Sequence, residues 1–203
     1  MKLLKHMNDP QIRKAFHTSF LQKEHEDSAT LILDELGLEH GKCRADIAVI
    51  NGHMDGFEIK SDVDSLSRLK NQINSYNAIF DRSSVIVTIR HLNEIMRMIP
   101  DWWGIISVLE SDADIPQFTV IKKPQQNAYI DDSLVAQLLW REEAQEVLFN
   151  LGMRGSQIRQ KRSVLYGYIV GTLSSCELRR TVREYLKKRR GWRHREQLMS
   201  GDD

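Results

Sequence analysis

Residues 44–64, RADIAVINGHMDGFEIKSDVD, constrain the possible fold more than any other part of this sequence. Two apolar runs of strand length, ADIAVI and GFEIK, flank a stretch that contains Asn-Gly and Asp-Gly, so the segment predicts a β-hairpin. Three charged side chains nevertheless lie inside these runs: Asp46 in the first, and Glu58 and Lys60 in the second. The segment therefore poses the question whether these charges decorate a sheet edge or form a functional site.

The flanking sequence predicts a mixed α/β fold. Residues 9–25 are typical of a helix that starts with an acid and a proline. TLIL at 30–33 favours a strand that would complete an antiparallel meander of three strands. Apolar side chains recur at helical spacing over 64–80, and SSVIVTI at 83–89 is typical of a buried strand. A strand–helix–strand passage of this length predicts that the two strands are parallel.

The chain divides into two parts by composition. Residues 1–125 predict the α/β core, and 126–203 predict a helical, basic C-terminal extension that packs on the core and begins with one long helix over 131–152. Residues 1–153 carry a net charge of −7, whereas 154–195 carry +11. Such an asymmetry indicates a polyanionic partner, and the alternative is a solvated basic helix whose arginines pair with the acidic core.

The hairpin charges predict a divalent metal site. Side chains two apart in a strand share a face, so Glu58 and Lys60 project together, and an antiparallel partner brings Asp46 towards Glu58. Two neighbouring carboxylates repel each other unless a cation neutralises them, and Mg²⁺ (or Mn²⁺) prefers such oxygen ligands. The carbonyl of Ile59 would add a ligand. With Lys60 to stabilise developing negative charge, the pattern predicts hydrolysis of a phosphodiester.

The same residues resemble the motif of the PD-(D/E)XK nuclease superfamily. Ala45-Asp46 followed by Glu58-Ile59-Lys60 matches that motif, with Ala45 in the place of its proline. The resemblance covers roughly residues 10–110, and the sequence there is most similar to a little-characterised prokaryotic and phage family within the superfamily. It implies a restriction-endonuclease-like core, a mixed central sheet flanked by helices, and a Mg²⁺-dependent deoxyribonuclease with Asp46, Glu58 and Lys60 in its active site.

The resemblance extends to further residues. Gln72 and Tyr76 match the Gln-x-x-x-Tyr motif of the helicase-associated exonuclease branch, which implies that they contact substrate or brace the site, with Gln72 counted among the catalytic residues. The superfamily often adds another acid, for which Glu35 is favoured as a metal ligand over Glu26. Arg68 lies on the same helix face as Gln72 and Tyr76.

The expected partner is DNA. The predicted DNA contacts are Arg68 and Tyr76 together with a C-terminal set that consists of Arg179, Arg180, Arg183, Lys187, Lys188, Arg189, Arg190, Trp192 and Arg193. Two alternatives stay open: a non-catalytic nucleic-acid- or protein-binding module of the same fold, and a small-molecule phosphohydrolase. No apolar run approaches the roughly 20 residues of a membrane span. A cytoplasmic protein that binds no membrane is expected, and a homodimer is suggested by analogy alone.

Overall fold

A mixed sheet of six strands forms the centre of the computed structural model, which describes residues 7–110 and 116–189. Its order along the sheet follows the chain, with β1–β2–β3 antiparallel, β3–β4–β5 parallel and β5–β6 antiparallel. The strands are β1 (Leu31–Leu38), β2 (Cys43–Ile50), β3 (Met54–Lys60), β4 (Arg82–Thr88), β5 (Gly104–Glu110) and β6 (Pro116–Lys122).

Helices cover both faces of this sheet. They are α1 (Asp9–Ala15), α2 (Gln22–Glu26), α3 (Leu69–Ile79), α4 (Ile89–Met98), α5 (Asp132–Ala136), α6 (Arg141–Asn150), α7 (Arg162–Thr172) and α8 (Ser175–Lys188). The chain is therefore a mixed α/β protein with an open sheet.

The sequence predictions for the central elements are confirmed. The β1–β2–β3 meander, the parallel β3–β4 pair and the intervening helix all form. The first helix differs in detail, because Asn8 rather than Asp9 caps α1 and a π-helical turn at Phe16–Phe20 separates α1 from α2.

The single long helix predicted over residues 131–152 is wrong. The helical conformation ends with α5 and resumes at the start of α6. There the Trp140 backbone N–H donates to Glu143 Oε2 at 2.7 Å. Leu138 and Leu139, between the two helices, are buried in the core. The break therefore lets two adjacent leucines enter the core, which a continuous helix would place about 100° apart.

Two hydrophobic clusters lie on opposite faces of the sheet. The smaller one joins the sheet to the N-terminal helices, and the Phe16 ring lies 4.6 Å from Phe20 and 5.2 Å from both Phe57 and Phe118. The larger cluster joins the sheet to α3 and to the C-terminal helices. Apolar burial on both faces is the main stabilising contribution in a fold of this kind.

Asp81 ties the C-terminal part to the sheet. Its Oδ2 accepts a hydrogen bond from the Met54 backbone N–H at 2.8 Å and lies 3.8 Å from Arg183 Nη1, while its carbonyl accepts from the Asn127 N–H at 2.8 Å. One residue thus connects β3, the chain after β6, and α8.

Among residues 7–110 and 116–189, every helix is too short or not apolar enough to cross a membrane.

Candidate functional site

The strand register brings Asp46 and Glu58 together as the sequence predicts. Ile47 and Phe57 form the last pair of the β2–β3 ladder, so Asp46 and Glu58 stand opposite each other one residue further on. Asp46 Oδ2 accepts a hydrogen bond from the Ile59 backbone N–H at 2.7 Å. The Ile59 backbone therefore contacts Asp46 through its N–H group.

Lys60 bridges the strand to α3. Its ammonium donates to Glu58 Oε1 at 2.6 Å and to the Gln72 side-chain oxygen at 3.0 Å. Glu58 is fully buried and Lys60 is 5% exposed. A buried carboxylate and a buried ammonium are tolerated only when they are paired, and this pair meets that condition.

The Tyr76 hydroxyl, on α3, completes the hydrogen-bond network around Asp46 and Glu58. It accepts a hydrogen bond from the Asp46 backbone N–H at 3.1 Å and lies within donor distance of Glu58 Oε2 (2.8 Å) and of the Phe57 carbonyl (3.1 Å). Because a hydroxyl has one hydrogen, it donates to one of these two acceptors at a time. Tyr76 has no exposed surface, so it positions the cluster from within the core.

Arg13 is a site residue that the sequence reasoning missed. From α1 its guanidinium contacts Asp9 at 3.0 Å, Asp34 at 3.4 Å, Glu35 at 3.1 Å and Asp46 Oδ1 at 3.5 Å, and Nη1 also donates to the Asp46 carbonyl. Burial by itself lowers the pKa of Arg13, but the bond to Asp9 and the surrounding carboxylates raise it overall. The Arg13 guanidinium thus lies among the side chains of four acids.

Burial dominates the protonation of the two central acids. Burial, followed by the charge of Glu58, raises the pKa of Asp46 to about 8, even though the Ile59 N–H and Arg13 act in the opposite direction. Burial also raises the pKa of Glu58, against the opposing effect of Lys60. Both acids are therefore harder to ionise than a free carboxyl group.

The two candidate auxiliary acids occupy different environments. Glu35 lies in β1 with a left-handed φ of 55° and bonds Arg13, which also bonds Asp46. Glu26 lies in α2, where its Oε1 accepts a hydrogen bond from Gln22 at 3.1 Å. The structure therefore associates Glu35 with the cluster, through Arg13.

A groove of about 770 Å³ opens beside the cluster. It runs between the turn that joins β1 to β2 and the exposed side of α3, and Asp46 and Gln72 lie in its wall. Its full lining is Glu35, Glu39, Gly41, Lys42, Cys43, Arg44, Asp46, Arg68, Asn71, Gln72, Asn74 and Ser75. Arg68, predicted to bind DNA, is an exposed residue of this groove.

The predicted C-terminal DNA contacts divide into three groups. Ion pairs within the protein engage Arg179 with Asp132 at 3.4 Å, Arg183 with Asp81 at 3.8 Å and Arg189 with Glu143 at 2.6 Å. Of the predicted contacts in α8, Arg180, Lys187 and Lys188 are exposed. Arg190, Trp192 and Arg193 lie outside the described residues.

The pairing of these arginines matters for the predicted basic track. A guanidinium that already neutralises a carboxylate contributes less to a positive surface than a free one. The role of all these residues in DNA binding stays a prediction.

Asp46 Oδ1 is the least engaged carboxylate oxygen of the two central acids. Both oxygens of Glu58 and Oδ2 of Asp46 accept short hydrogen bonds, whereas Asp46 Oδ1 has only its 3.5 Å contact with Arg13. Residues 7–110 and 116–189 contain no group of three His, Cys, Asp or Glu side chains arranged to hold a metal. The described residues thus form no closed protein cage for a metal ion.

Fold and site together define a mixed α/β protein in which a buried network of carboxylate, ammonium and hydroxyl groups closes one end of a polar groove. The family model described as Bacteriophage P4 protein cII matches residues 4–200. The chain therefore belongs to the bacteriophage P4 protein cII family. "Protein cII" of Enterobacteria phage P4 is 25% identical over 126 residues, which cover 62% of this chain and 47% of that relative. No solved structure matches the chain.

This family assignment corrects the sequence-based identification. Membership of the PD-(D/E)XK superfamily, the nuclease function and the classification as a Mg²⁺-dependent deoxyribonuclease are wrong, because the family that matches nearly the whole chain is a different one. The geometry supplies a physical reason why the motif misleads. The Asp, Glu and Lys of the motif satisfy one another, Gln72 and Tyr76 inside the protein, so their spacing serves a structural network.

Proposed function

We propose that the protein is a non-catalytic DNA-binding protein and that the groove between the β1–β2 turn and α3 contacts the phosphate backbone. The observation that carries this proposal is the set of exposed cations along the groove, Lys42, Arg44 and Arg68. The exposed amides of Asn71 and Asn74 line the same groove. Cations and amides are the side chains that commonly bond phosphate and sugar oxygens.

Internal pairing offsets part of the acidic charge of the groove. Of its three acids, Glu35 and Asp46 contact Arg13, at 3.1 Å and 3.5 Å, and Arg13 does not line the groove. Among its cations, Arg44 has only a 3.9 Å contact with Glu35, and Lys42 and Arg68 form no ion pair with another described residue. Two of the three acids thus have a cation inside the protein, while Lys42 and Arg68 are left to attract a polyanion.

The buried cluster has a structural part in this proposal. Asp46, Lys60 and Gln72 link β2, β3 and α3 by hydrogen bonds, and β2 and α3 contribute to the walls of the groove. A preformed groove loses little conformational entropy on binding, which favours affinity. Arg180, Lys187 and Lys188 on α8 add exposed positive charge that supports the same partner.

The test is the binding of a fluorescein-labelled DNA duplex, measured by anisotropy in EDTA between about 50 and 200 mM salt. We expect Lys42→Gln and Arg68→Gln each to weaken binding and to reduce the slope of log affinity against log salt by about 0.9 for each phosphate that the variant no longer neutralises. Lys70→Gln is the matched control, because Lys70 is an exposed residue of α3 outside the groove lining.

Two results would overturn the proposal. One is a wild-type protein that shows no salt-dependent binding to duplex or single-stranded DNA. The other is an equal loss for Lys70→Gln and Arg68→Gln, which would indicate a general effect of net charge. A Lys187→Gln/Lys188→Gln variant measures the share contributed by α8.

We also propose Mg²⁺ or Mn²⁺ as a ligand of the cluster, in a binding role. The support is a local excess of acid: five carboxylates, those of Asp9, Asp34, Glu35, Asp46 and Glu58, surround the cations of Arg13 and Lys60. A bound ion would supply positive charge close to the groove. It would be held by Asp46 and, through water, by its neighbours.

Three finer assignments complete the proposal. A restriction-endonuclease-like arrangement of the sheet is supported by the β1–β2–β3 meander followed by the parallel β4, and concerns the fold alone, since a fold does not determine a reaction. A cytoplasmic location and a homodimer are retained from the sequence. Light scattering of the purified protein measures the number of chains, and an experimental structure tests the fold.

A further inference from the structure

A second cavity, of about 400 Å³, lies next to the groove and shares Gly41 with it. Its walls are the end of β1 and the turn that follows, the junction between α5 and α6, the first turn of α7, and Arg189. Apart from Arg189, none of the lining residues belongs to the predicted site. The cavity is therefore a feature of the fold that the sequence motifs do not indicate.

Positive charge predominates in this cavity. Arg141, Arg162 and Arg189 line it, and Glu142 is the only acid among its lining residues. The guanidinium of Arg189 is already neutralised by Glu143, whereas Arg141 and Arg162 form no ion pair with another described residue. Two arginines that converge on one cavity without acids of their own are suited to a phosphate group.

The backbone adds to the positive potential. Helices α6 and α7 both begin at the cavity, with Arg141 and Arg162 as their first residues. The first turn of α6 carries Glu142 and Glu143, and Glu143 accepts the Trp140 N–H, so the partial positive charge that remains for a ligand is that at the N-terminus of α7. The α7 cap, Lys161, makes no side-chain hydrogen bond to the first turn.

Aromatic side chains also line the cavity. Trp140 is 54% exposed at the cavity, and the Arg189 guanidinium lies 4.3 Å from its ring centroid. On the facing side the His40 ring lies over Tyr166, with centroids 5.9 Å apart and an angle of 27° between the planes. His40 adopts a left-handed φ of 58°, which is uncommon for a residue with a side chain.

We propose that this cavity binds one nucleotide, with its phosphate between Arg141 and Arg162 and its base against Trp140. Its volume of about 400 Å³ lies within the usual range of ligand pockets, about 300–1,000 Å³. An exposed indole offers stacking area to any base, and arginine binds phosphate in a fork geometry. The site goes beyond the proposed DNA groove and rests on different residues. The nucleotide is either free or the terminal nucleotide of a strand.

The test is the quenching of tryptophan fluorescence, supported by calorimetry. The probes are adenosine 5′-monophosphate, adenosine, inorganic phosphate, and a short deoxyadenosine oligonucleotide with or without a 5′-phosphate. We expect adenosine 5′-monophosphate to bind and its Kd to rise at least about tenfold in the Arg141→Gln/Arg162→Gln variant, since that variant loses the charge-assisted bonds to the phosphate. Arg159→Gln, an exposed arginine outside the cavity lining, should bind as the wild type does.

The variants also separate the two halves of the proposal. Trp140→Phe should remove most of the quenching while the melting temperature and the affinity for duplex DNA stay unchanged. Binding only of the mononucleotide indicates a free nucleotide, and preference for the phosphorylated oligonucleotide indicates a strand end. The proposal is overturned if adenosine binds as tightly as its monophosphate, if inorganic phosphate binds as tightly as the nucleotide, if the double variant keeps wild-type affinity, or if no probe binds.

Discussion

The hydroxyl of Tyr76 lies 2.8 Å from Glu58 Oε2 and joins the helix that carries it to the strand that carries Glu58. The same hydroxyl accepts a hydrogen bond from the Asp46 N–H, so one oxygen atom connects α3 with both strands of the hairpin. Burial and the charge of Glu58 raise the pKa of Tyr76 well above its ordinary value, which keeps the hydroxyl protonated and able to donate.

Removal of this hydroxyl should destabilise the protein. In Tyr76→Phe, Glu58 Oε2 loses its donor and the Asp46 N–H loses its acceptor, so we expect a loss of about 1–3 kcal/mol in the free energy of unfolding, measured by urea denaturation. The control is Tyr168→Phe, at a partly exposed position of α7, which should change stability by less than about 0.5 kcal/mol. Equal stability of the two variants would show that the hydroxyl network contributes little.

The Glu58–Lys60 pair should behave as a unit. Lys60→Met leaves the buried Glu58 carboxylate without its cation, and we expect a loss of about 3–5 kcal/mol. The double variant Glu58→Gln/Lys60→Met should recover part of that loss, because it removes the uncompensated charge. A double-mutant cycle measured by denaturation gives the coupling, and strictly additive losses would contradict the pairing.

Stability should fall with rising pH because of Asp46. Its pKa is raised to about 8 in the folded protein, mainly by burial and then by Glu58, against 3.8 for the unperturbed group. Between these values the folded state holds a proton that the unfolded state has released. The free energy of unfolding should therefore decrease as pH rises from about 4 to about 8, by up to about 1.4 kcal/mol per pH unit.

An Asp46→Asn variant isolates this effect. The asparagine is neutral at every pH and its side-chain oxygen still accepts the Ile59 N–H, so its stability should decline less than that of the wild type in EDTA. Asp101→Asn, at an exposed position, should follow the wild-type curve. Parallel curves for wild type and Asp46→Asn would place the titrating group elsewhere.

Added Mg²⁺ or Mn²⁺ should raise the melting temperature of the wild type, since a ligand that binds only the folded state stabilises it. The rise should disappear in Asp46→Asn and persist in Asp101→Asn. Sodium chloride at matched ionic strength controls for screening of the surrounding acids. An equal rise in both variants, or no rise in the wild type, would exclude an ion at Asp46.

The sequence predicts the hairpin site well because its rules are local. Strand alternation and a short turn suffice to bring Asp46, Glu58 and Lys60 together, and helical spacing adds Gln72 and Tyr76. Arg13 escapes prediction, because it reaches Asp46 across 33 residues of chain and no spacing rule covers that contact. Its role depends on how α1 packs on the sheet.

The function is harder to infer than the geometry. The motif specifies which side chains meet, but whether the carboxylates face a substrate or satisfy one another is decided by their other partners. The C-terminal arginines illustrate the same limit, since a charge count does not reveal that Arg179, Arg183 and Arg189 meet acids of the protein itself.

The larger hydrophobic cluster has a consequence for the synthesis of the protein. Leu165, Ile169, Leu178, Val182 and Leu186 belong to this cluster but follow all six strands in the chain. At a typical rate of about 5–20 residues per second, they are synthesised several seconds after β6. During that interval the part of the cluster that they complete stays exposed on the nascent chain, which makes it a substrate for chaperones that recognise exposed hydrophobic surface.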